Sequence, residues 1–497
     1  MERKWWTLLA VCVATFMLLM DVTIVNVALP SIERDLHAGL TKLQWVIDAY
    51  TLVLSALILT AGALADRVGR RIVFTLGVAG FTVASLLCGL APSATALDVA
   101  RGLQGFGGAA MFATSLALIA QEFRGRDFGT GIAAWGSTVG AAVAAGPLIG
   151  GALTEGLGWQ WIFFVNVPVG AVALTVAVLR MREFRDPDAR GVDPGGLIAS
   201  SAAFGLLVFG LLRGNAEGWG STPILGSLGG AVLLLVVFVA IERRQERPML
   251  DLSLFRRPAF VGVSLGTLAI GAGLFSILVY VSFYLQDILA YSPFQAGLRF
   301  LPMTVLIFFV PALTRQLAER LPQRVMLGVG LALCSLGLLL MHGIDSGSRW
   351  TTLLAGMIVA GVGIGLANPA IGSTALGVVE AARSGMASGF NNTCRLGGVT
   401  IGVAGLGAIF QSRVDAKLGE LLPQVPAGLG DAVASGGTRA VPPRLADAAR
   451  EAFVAGLNEI LLVGAATVLV GSLAVFALIR ARDFVSARKP APAPADA

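Results

Sequence analysis

Apolar runs parted by short polar segments, in which basic residues gather, follow one another along the whole chain. A helix crosses the ~30 Å hydrocarbon layer of a bilayer with ~20 apolar residues. On that criterion the pattern predicts fourteen spanning helices, at 5–29, 44–64, 72–91, 97–120, 129–152, 160–180, 195–212, 223–241, 259–285, 293–313, 325–342, 351–376, 385–410 and 455–480. The first follows a basic start, Met1-Glu2-Arg3-Lys4. It exceeds the ~7–15 apolar residues of a signal peptide and lacks a small-residue cleavage site, so it is read as a spanning helix.

Composition removes the soluble alternatives. Of 497 residues 56% are hydrophobic and 13% charged, and mean hydropathy is +0.80. The charged share is about half the ~25% of ordinary soluble domains. The net charge of +6 does not indicate a nucleic-acid partner, because the basic residues lie in the breaks between apolar runs. With the N-terminus taken as cytoplasmic, 24 Lys and Arg fall on the inner side and 9 on the outer, and three (Arg101, Arg299, Arg395) lie within helices. That asymmetry places both termini inside. Trp5, Trp6, Trp45, Trp159, Trp161, Trp219 and Trp350 fall at predicted helix ends, where an interfacial aromatic belt would stand.

Other chemistries are excluded by simple counts. None of the four lysines follows a glycine, so no GxxxxGK phosphate loop exists. The four cysteines, Cys12, Cys88, Cys334 and Cys394, sit inside apolar runs with no CxxC spacing, which implies packing rather than disulfides or a metal site. The glycine strings 105–110 and 361–365 imitate dinucleotide fingerprints, but no strand precedes either, so they read as helix-packing surfaces. No cofactor is expected.

The segment Leu64-Ala65-Asp66-Arg67-Val68-Gly69-Arg70-Arg71 is echoed by Leu317-Ala318-Glu319-Arg320-Leu321-Pro322-Gln323-Arg324. The echo divides the chain into a six-helix bundle at 1–180, an inserted helix pair with charged linkers at 181–258, a second six-helix bundle at 259–480, and a disordered Ala/Pro tail at 481–497. The longest loop, 411–450, is expected outside.

Four stretches carry the candidate chemistry. In the first loop motif Gly62 permits close approach of two backbones, Asp66 suits a helix N-terminus, and the arginines suit acidic or carbonyl groups. A positive-inside turn alone would explain the arginines but not the Gly/Asp/Gly spacing of Gly62, Asp66 and Gly69. In helix five, Gly146-Pro147-Leu148-Ile149-Gly150-Gly151 allows a kink and tight packing, as generic small-residue packing also would. At ~1.5 Å rise, Asp21 lies roughly 12 Å below Leu29 and Arg101 roughly 6 Å below Leu97, a difference an Arg side chain can span. An ionisable residue at a helix centre costs ~2.5–3.5 kcal/mol on insertion scales, so the pair is read as functional, with a purely structural ion pair as the alternative. Asn26, Asn391 and Arg395 are further candidate polar groups of a cavity, and Arg395 has no obvious acidic partner. Asp48 reaches interfacial water on this reading, Asp287 and Arg299 neutralise one another, and His37 and His342 are solvated.

These stretches carry a family resemblance. The loop motif resembles the signature of the major facilitator superfamily, in which Gly62, Asp66, Arg67, Gly69 and Arg70 would form the cytoplasmic latch between halves. In the echo Arg315 stands where Gly62 would be, so the latch is expected only in the first half. The run with Gly146, Pro147, Gly150 and Gly151 looks like that superfamily's antiporter motif, associated with export. Met20-Asp21-Val22-Thr23-Ile24-Val25-Asn26-Val27-Ala28-Leu29-Pro30, Trp159-Gln160-Trp161-Ile162-Phe163-Phe164-Val165-Asn166-Val167-Pro168 and Ser292-Pro293-Phe294-Gln295-Ala296-Gly297-Leu298-Arg299-Phe300-Leu301-Pro302 resemble the fourteen-helix drug:proton antiporters. Leu97-Asp98-Val99-Ala100-Arg101-Gly102-Leu103-Gln104-Gly105 resembles the helix-four motif of proton-coupled members.

The resemblance implies an all-α integral membrane protein of the major facilitator fold and a proton-coupled exporter of amphipathic organic compounds. Protons are the coupling ion, with Asp21 and Arg101 carrying them. It further implies a bacterial cytoplasmic membrane location, a small-molecule substrate and a monomeric unit. A dedicated exporter of one metabolite or lipid-like molecule would look the same. A lipid-modifying membrane enzyme would need a cluster of acids or a His pair, and neither a DDxxD run nor a His pair is present.

Overall fold

In a computed structural model the described residues are 2–36, 40–123, 127–185, 193–245, 248–314, 320–380, 383–434, 441–480 and 483–484. Side chains at 26, 27, 30, 40–44, 143, 144, 147, 216 and 293 are outside the description. Fourteen long helical segments result: α1 (Arg3–Leu36), α2 (Leu40–Val68), α3 (Arg70–Gly89), α4 (Ala94–Glu122), α5 (Phe128–Gly156), α6 (Trp161–Arg180), α7 (Pro194–Glu217), α8 (Thr222–Arg244), α9 (Pro258–Ile288), α10 (Pro293–Leu313), α11 (Gln323–Met341), α12 (Leu354–Gly377), α13 (Ser384–Leu421) and α14 (Ala446–Leu478). Among the described residues thirteen are long and apolar enough to cross a membrane, and α5, with 29 residues rich in Gly and Ala, runs between α4 and α6. The chain is a multi-pass membrane protein whose fourteen segments match the predicted ones in order.

Helix ends are where sequence and structure part. α1 continues past Leu29 to Leu36, α13 runs on to Leu421 and α14 starts at Ala446. Most of the described residues in the expected long loop at 411–450 are therefore helical, with a further six-residue helix at Leu429–Ala434. Hydropathy detects only the part of a helix that lies in lipid. The extensions are polar and held by their own pairs, such as Lys417 with Glu420 at 3.1 Å and with Glu451 at 3.3 Å. Trp159, placed in the interfacial belt from sequence, is instead 2% exposed, with its indole N–H donating to Asp35 at 2.9 Å. The tail beyond 484, His37, and the part of the echo at 315–319 lie outside the described residues.

The two halves are built alike. In the first, α3 and α4 touch backbone to backbone where Gly77 meets Gly107, and a Cβ on Gly77 would stand 2.8 Å from the Gly107 carbonyl oxygen. In the second, α11 and α12, which occupy the corresponding places, meet at Gly330 and Gly363, where a Cβ on Gly363 would stand 2.6 Å from the Gly330 oxygen. Lipid tails are as apolar as leucine, so helices in a bilayer associate through such close small-residue packing. Between the halves, α2 lies on α13 and α5 on α10.

The inserted hairpin is not a lipid-side appendage. α7 packs on α2 through Thr60 and Ser201, 2.8 Å between hydroxyls, and on α13 through the Asn215 amide, which donates to the Ala404 carbonyl at 3.2 Å. Arg213 of α7 stacks on Trp45 at 4.9 Å and approaches Asp48 at 4.0 Å, so Asp48 has a partner on the inserted hairpin.

Gly107→Ala should destabilise the purified protein by about 1–3 kcal/mol, because the methyl has no room between α3 and α4. Gly226→Ala in α8, where nothing stands within 4 Å, should gain about 0.5–1 kcal/mol. Equal melting midpoints for the two variants would refute this account of the packing.

Candidate functional site

Asp21 and Arg101, 80 residues apart, form a buried ion pair through Asp21 Oδ2 and Arg101 Nη1, with 0% and 1% of their side chains exposed. The pair is closed by partners from four other segments or turns. The Gln104 amide N–H donates to Asp21 Oδ1 at 2.9 Å, while its oxygen accepts from Arg101 at 2.6 Å. Arg101 Nε donates to the Val46 carbonyl of α2 at 2.9 Å. Ser85 of α3 accepts from Gln104 at 2.8 Å, and Asn166 of α6 reaches both Asp21 and Ser85 at 3.4 Å. The guanidinium also faces the rings of Tyr50 at 4.3 Å and Phe163 at 5.7 Å. All these residues belong to the first half. Sequence reading quoted Gln104 and Asn166 only inside longer motifs and missed Ser85. The one available signal was Gln104, one helical turn after Arg101 and so on the same face.

The glycine motif of α5 lies against the helix that carries Asp21. Gly146 packs directly on the Thr23 side chain, and a Cβ on Gly150 would stand 2.7 Å from Ile24. Gly151, on the neighbouring face, meets the Phe294 backbone at the start of α10, 3.4 Å from a would-be Cβ. The Pro147 and Asn26 side chains lie outside the described residues. Lower on the same helix, the Ser137 hydroxyl donates to the Phe308 carbonyl of α10 at 2.9 Å. The motif therefore touches both α1 and the second half.

The loop motif joins the halves at the face that carries both chain ends. Asp66, 7% exposed, accepts from the backbone N–H of Gly385 at 3.0 Å and of Met386 at 2.8 Å. These are free donors of the first turn of α13, where the helix dipole favours a carboxylate. Arg70 Nη2 and Nε each reach Asp66 Oδ1 at 2.8 Å, and Arg70 stacks on Phe184 at 4.5 Å. Gly62 lets α2 lie on α13, since a Cβ there would be 2.6 Å from the Gly385 oxygen. Gly69 has φ 131°, a conformation that favours glycine. Beside it Glu183 caps α3 by accepting from the N–H of Arg71 at 3.0 Å and of Ile72 at 3.1 Å. Arg67 is half-buried and acts electrostatically on Glu242 of α8.

A second strap lies next to the latch. Arg383 pairs with Asp251 at 2.6 Å, tying the linker before α9 to the start of α13. Burial works to raise the Asp251 carboxyl, but the hydroxyl and backbone N–H of Ser253 and the Arg383 charge outweigh it and hold it below the ordinary value. A depressed carboxyl stabilises the fold above its unfolded pKa and loses that contribution as pH falls through the folded one, so the strap is intact at neutral pH. Neither Glu183 nor this pair was legible in sequence, because each depends on which loops meet.

Arg299 donates to the Gln295 carbonyl at 2.7 Å and lies 3.5 Å over the Tyr291 ring. Asn391 bonds to Thr267 of α9 at 3.0 Å, Asn392 donates to the Phe112 carbonyl of α4 at 2.9 Å, and Arg395 donates to Asn368 of α12 at 3.0 Å. A cleft of about 530 Å³ opens on the face opposite the latch, between His342, Asp345, Arg413, Lys417 and Glu451, away from all of these groups.

The family model of the Major Facilitator Superfamily matches residues 11–403. Among curated proteins the chain is similar to the "Tetracenomycin C resistance and export protein" of Streptomyces glaucescens, 35% identical over 99% of this chain and 95% of that one. It is also similar to the "Multidrug efflux pump LfrA" of Mycolicibacterium smegmatis, 31% identical over 95% and 96%. Among solved structures, the human organic anion transporter MFSD10 superposes with a TM-score of 0.64 at 13% identity, covering 95% of this chain and 99% of that one. A bacterial homolog of the human lysosomal transporter Spinster gives 0.58 at 18% identity, covering 99% of both chains. At those identities the two structures speak for the fold alone.

Asp66→Asn leaves Arg70 buried opposite a neutral amide and removes charge from the α13 N-terminus. We expect it to insert normally but to lose about 3–5 kcal/mol of stability, and Asp66→Asn with Arg70→Gln to lose less than the sum of the single changes. Additive losses in melting experiments would show that the two residues do not act as a pair.

Proposed function

The chain belongs to the Major Facilitator Superfamily, and from that premise we propose that it is a proton-coupled exporter of amphipathic, drug-like organic compounds. It works as a monomer in the bacterial cytoplasmic membrane, with both chain ends inside, by alternating access of its two halves. The observation that carries the reading is the buried Asp21–Arg101 pair, on a helix seated against the glycine motif of α5. Relatives named for resistance and efflux support the direction of transport and the kind of cargo.

The geometry supplies a coupling route. Ionised Asp21 balances Arg101; when it takes up a proton that balance is lost, and Arg101 keeps only the Val46 carbonyl, the Gln104 oxygen and two aromatic faces. The preferred packing of α1 on α4 then changes. Because Thr23 and Ile24 of α1 seat Gly146 and Gly150, the change passes to α5 and through Ser137 to α10 in the other half. Biasing the two states of the halves in this way requires a coupling of about 1–3 kcal/mol. The Asp66 latch holds the cytoplasmic side shut in one state and must open in the other, so its strength sets how fast the halves exchange.

Asp21→Asn in vesicles should abolish accumulation of a dye substrate against its gradient when a pH gradient is imposed, while the purified variant still binds that dye. Uphill pumping by Asp21→Asn vesicles would remove Asp21 from the coupling step. For topology, Val425→Cys should react with an impermeant maleimide in intact cells and Arg182→Cys only after permeabilisation. Labelling of Arg182→Cys from outside would invert the threading.

A further inference from the structure

The second half holds a buried charge that the coupling pair does not use. Arg395 stands about a third of the way along α13, 4% exposed, beside α12 and α5. Nη1 donates to Asn368 Oδ1 at 3.0 Å, and the guanidinium carbon lies 5.9 Å from the Trp135 ring centroid. Among the described residues Nε and Nη2 have no acceptor and no carboxylate pairs with the group. Both neighbours leave a donor over as well. Asn368 turns its oxygen to Arg395, which can only donate, so its Nδ2 hydrogens are spare; that nitrogen and the indole N–H of Trp135 are buried without partners. α5 and α12 are close here, since a Cβ on Gly136, next to Trp135, would stand 3.3 Å from the Asn368 Cβ.

The surroundings fix this arrangement. α9 widens into a π-type turn at Gly271–Phe275, a feature frequent at functional sites, and a Cβ on Gly271 would stand 2.7 Å from the Arg395 carbonyl oxygen. The main chain of Arg395 is thereby held against α9 while its side chain faces α12 and α5. Phe112 stacks behind Trp135 at 6.2 Å with ring planes 26° apart.

We propose that Arg395, Asn368 and Trp135 form the part of the substrate site that takes an oxyanion, a carboxylate or phenolate of the transported compound. The inference rests on the exporter reading and names the class of compound which that reading leaves open. Nε and Nη2 form one edge of the guanidinium fork, the edge that binds a carboxylate through two parallel hydrogen bonds. An anion there also supplies the countercharge that no described residue provides, and the spare Asn368 Nδ2 and the Trp135 indole N–H are two further donors for it. A buried cation left without partners is unfavourable, so its bare edge is retained for what arrives.

The test uses two dyes on the same xanthene frame: fluorescein, which is anionic, and rhodamine 6G, its esterified cationic counterpart. Wild type, Arg395→Gln and Arg395→Lys are expressed in a pump-deficient bacterium, and energy-dependent efflux of each dye is followed. We expect wild type to expel fluorescein and Arg395→Gln to lose about 10- to 100-fold of that efflux. Arg395→Lys, which keeps the charge but not the fork, should fall between them, with rhodamine 6G efflux changed less than about twofold by either substitution. Arg395→Gln should melt no lower than wild type, since it removes an unpaired buried charge. Efflux of rhodamine 6G without fluorescein by wild type, or an equal fall for both dyes in Arg395→Gln, overturns the assignment and leaves the exporter reading standing. Efflux of neither dye by wild type counts against the exporter reading, and the inference falls with it.

Discussion

A charge inside a bilayer has no water to turn to, and that constraint organises this protein. Ionisable groups in the described spans are answered in different ways. Asp21 and Arg101 answer one another and draw in Gln104, Ser85 and Asn166, so that four helices of the first half share one network. Asp66 and Arg70 answer one another at a helix end, and Asp66 spends its remaining capacity on two backbone donors of α13. The first arrangement stays within a half, whereas the second reaches across to the other. In the proposed mechanism a proton arriving at the first and an opening of the second are therefore separate events, linked through the helices between them.

Those helices can carry the link because glycine lets them touch. The α3–α4 contact and its counterpart α11–α12 bring backbones together, which makes each half a firm unit. Across the seam, Gly62 brings α2 onto α13, while Gly146 and Gly150 bring α5 onto α1 and Gly151 brings it onto α10. The four-residue spacing of Gly146 and Gly150 places both on one helix face, and Gly151 turns to the next. Side chains at these positions would hold the helices apart and break the packed path from α1 to the seam. The inserted hairpin adds a bridge of another kind, since α7 is hydrogen-bonded to both α2 and α13 and must accommodate any movement between them.

The sequence by itself determined the number and order of the spanning helices, because the length of an apolar run is set by bilayer thickness and needs no tertiary information. It also marked Asp21, Arg101 and Asp66, since a charge in or beside an apolar run is conspicuous, and helix geometry alone put the first two within reach. Tertiary structure decided the rest. Where α13 and α14 end beyond the lipid depends on polar pairs such as Lys417 with Glu451, from distant parts of the chain. Ser85 and Asn166 are ordinary residues until four helices bring them to one carboxylate, and Glu183 caps α3 and Asp251 pairs with Arg383 only because two linkers meet α3 and α13. Arg395 was visible from the start as a charge in the wrong solvent, but its bare edge beside Asn368 and Trp135 could not be read from spacing. Being unpaired is a property of everything that surrounds a group, and only the assembled fold defines those surroundings.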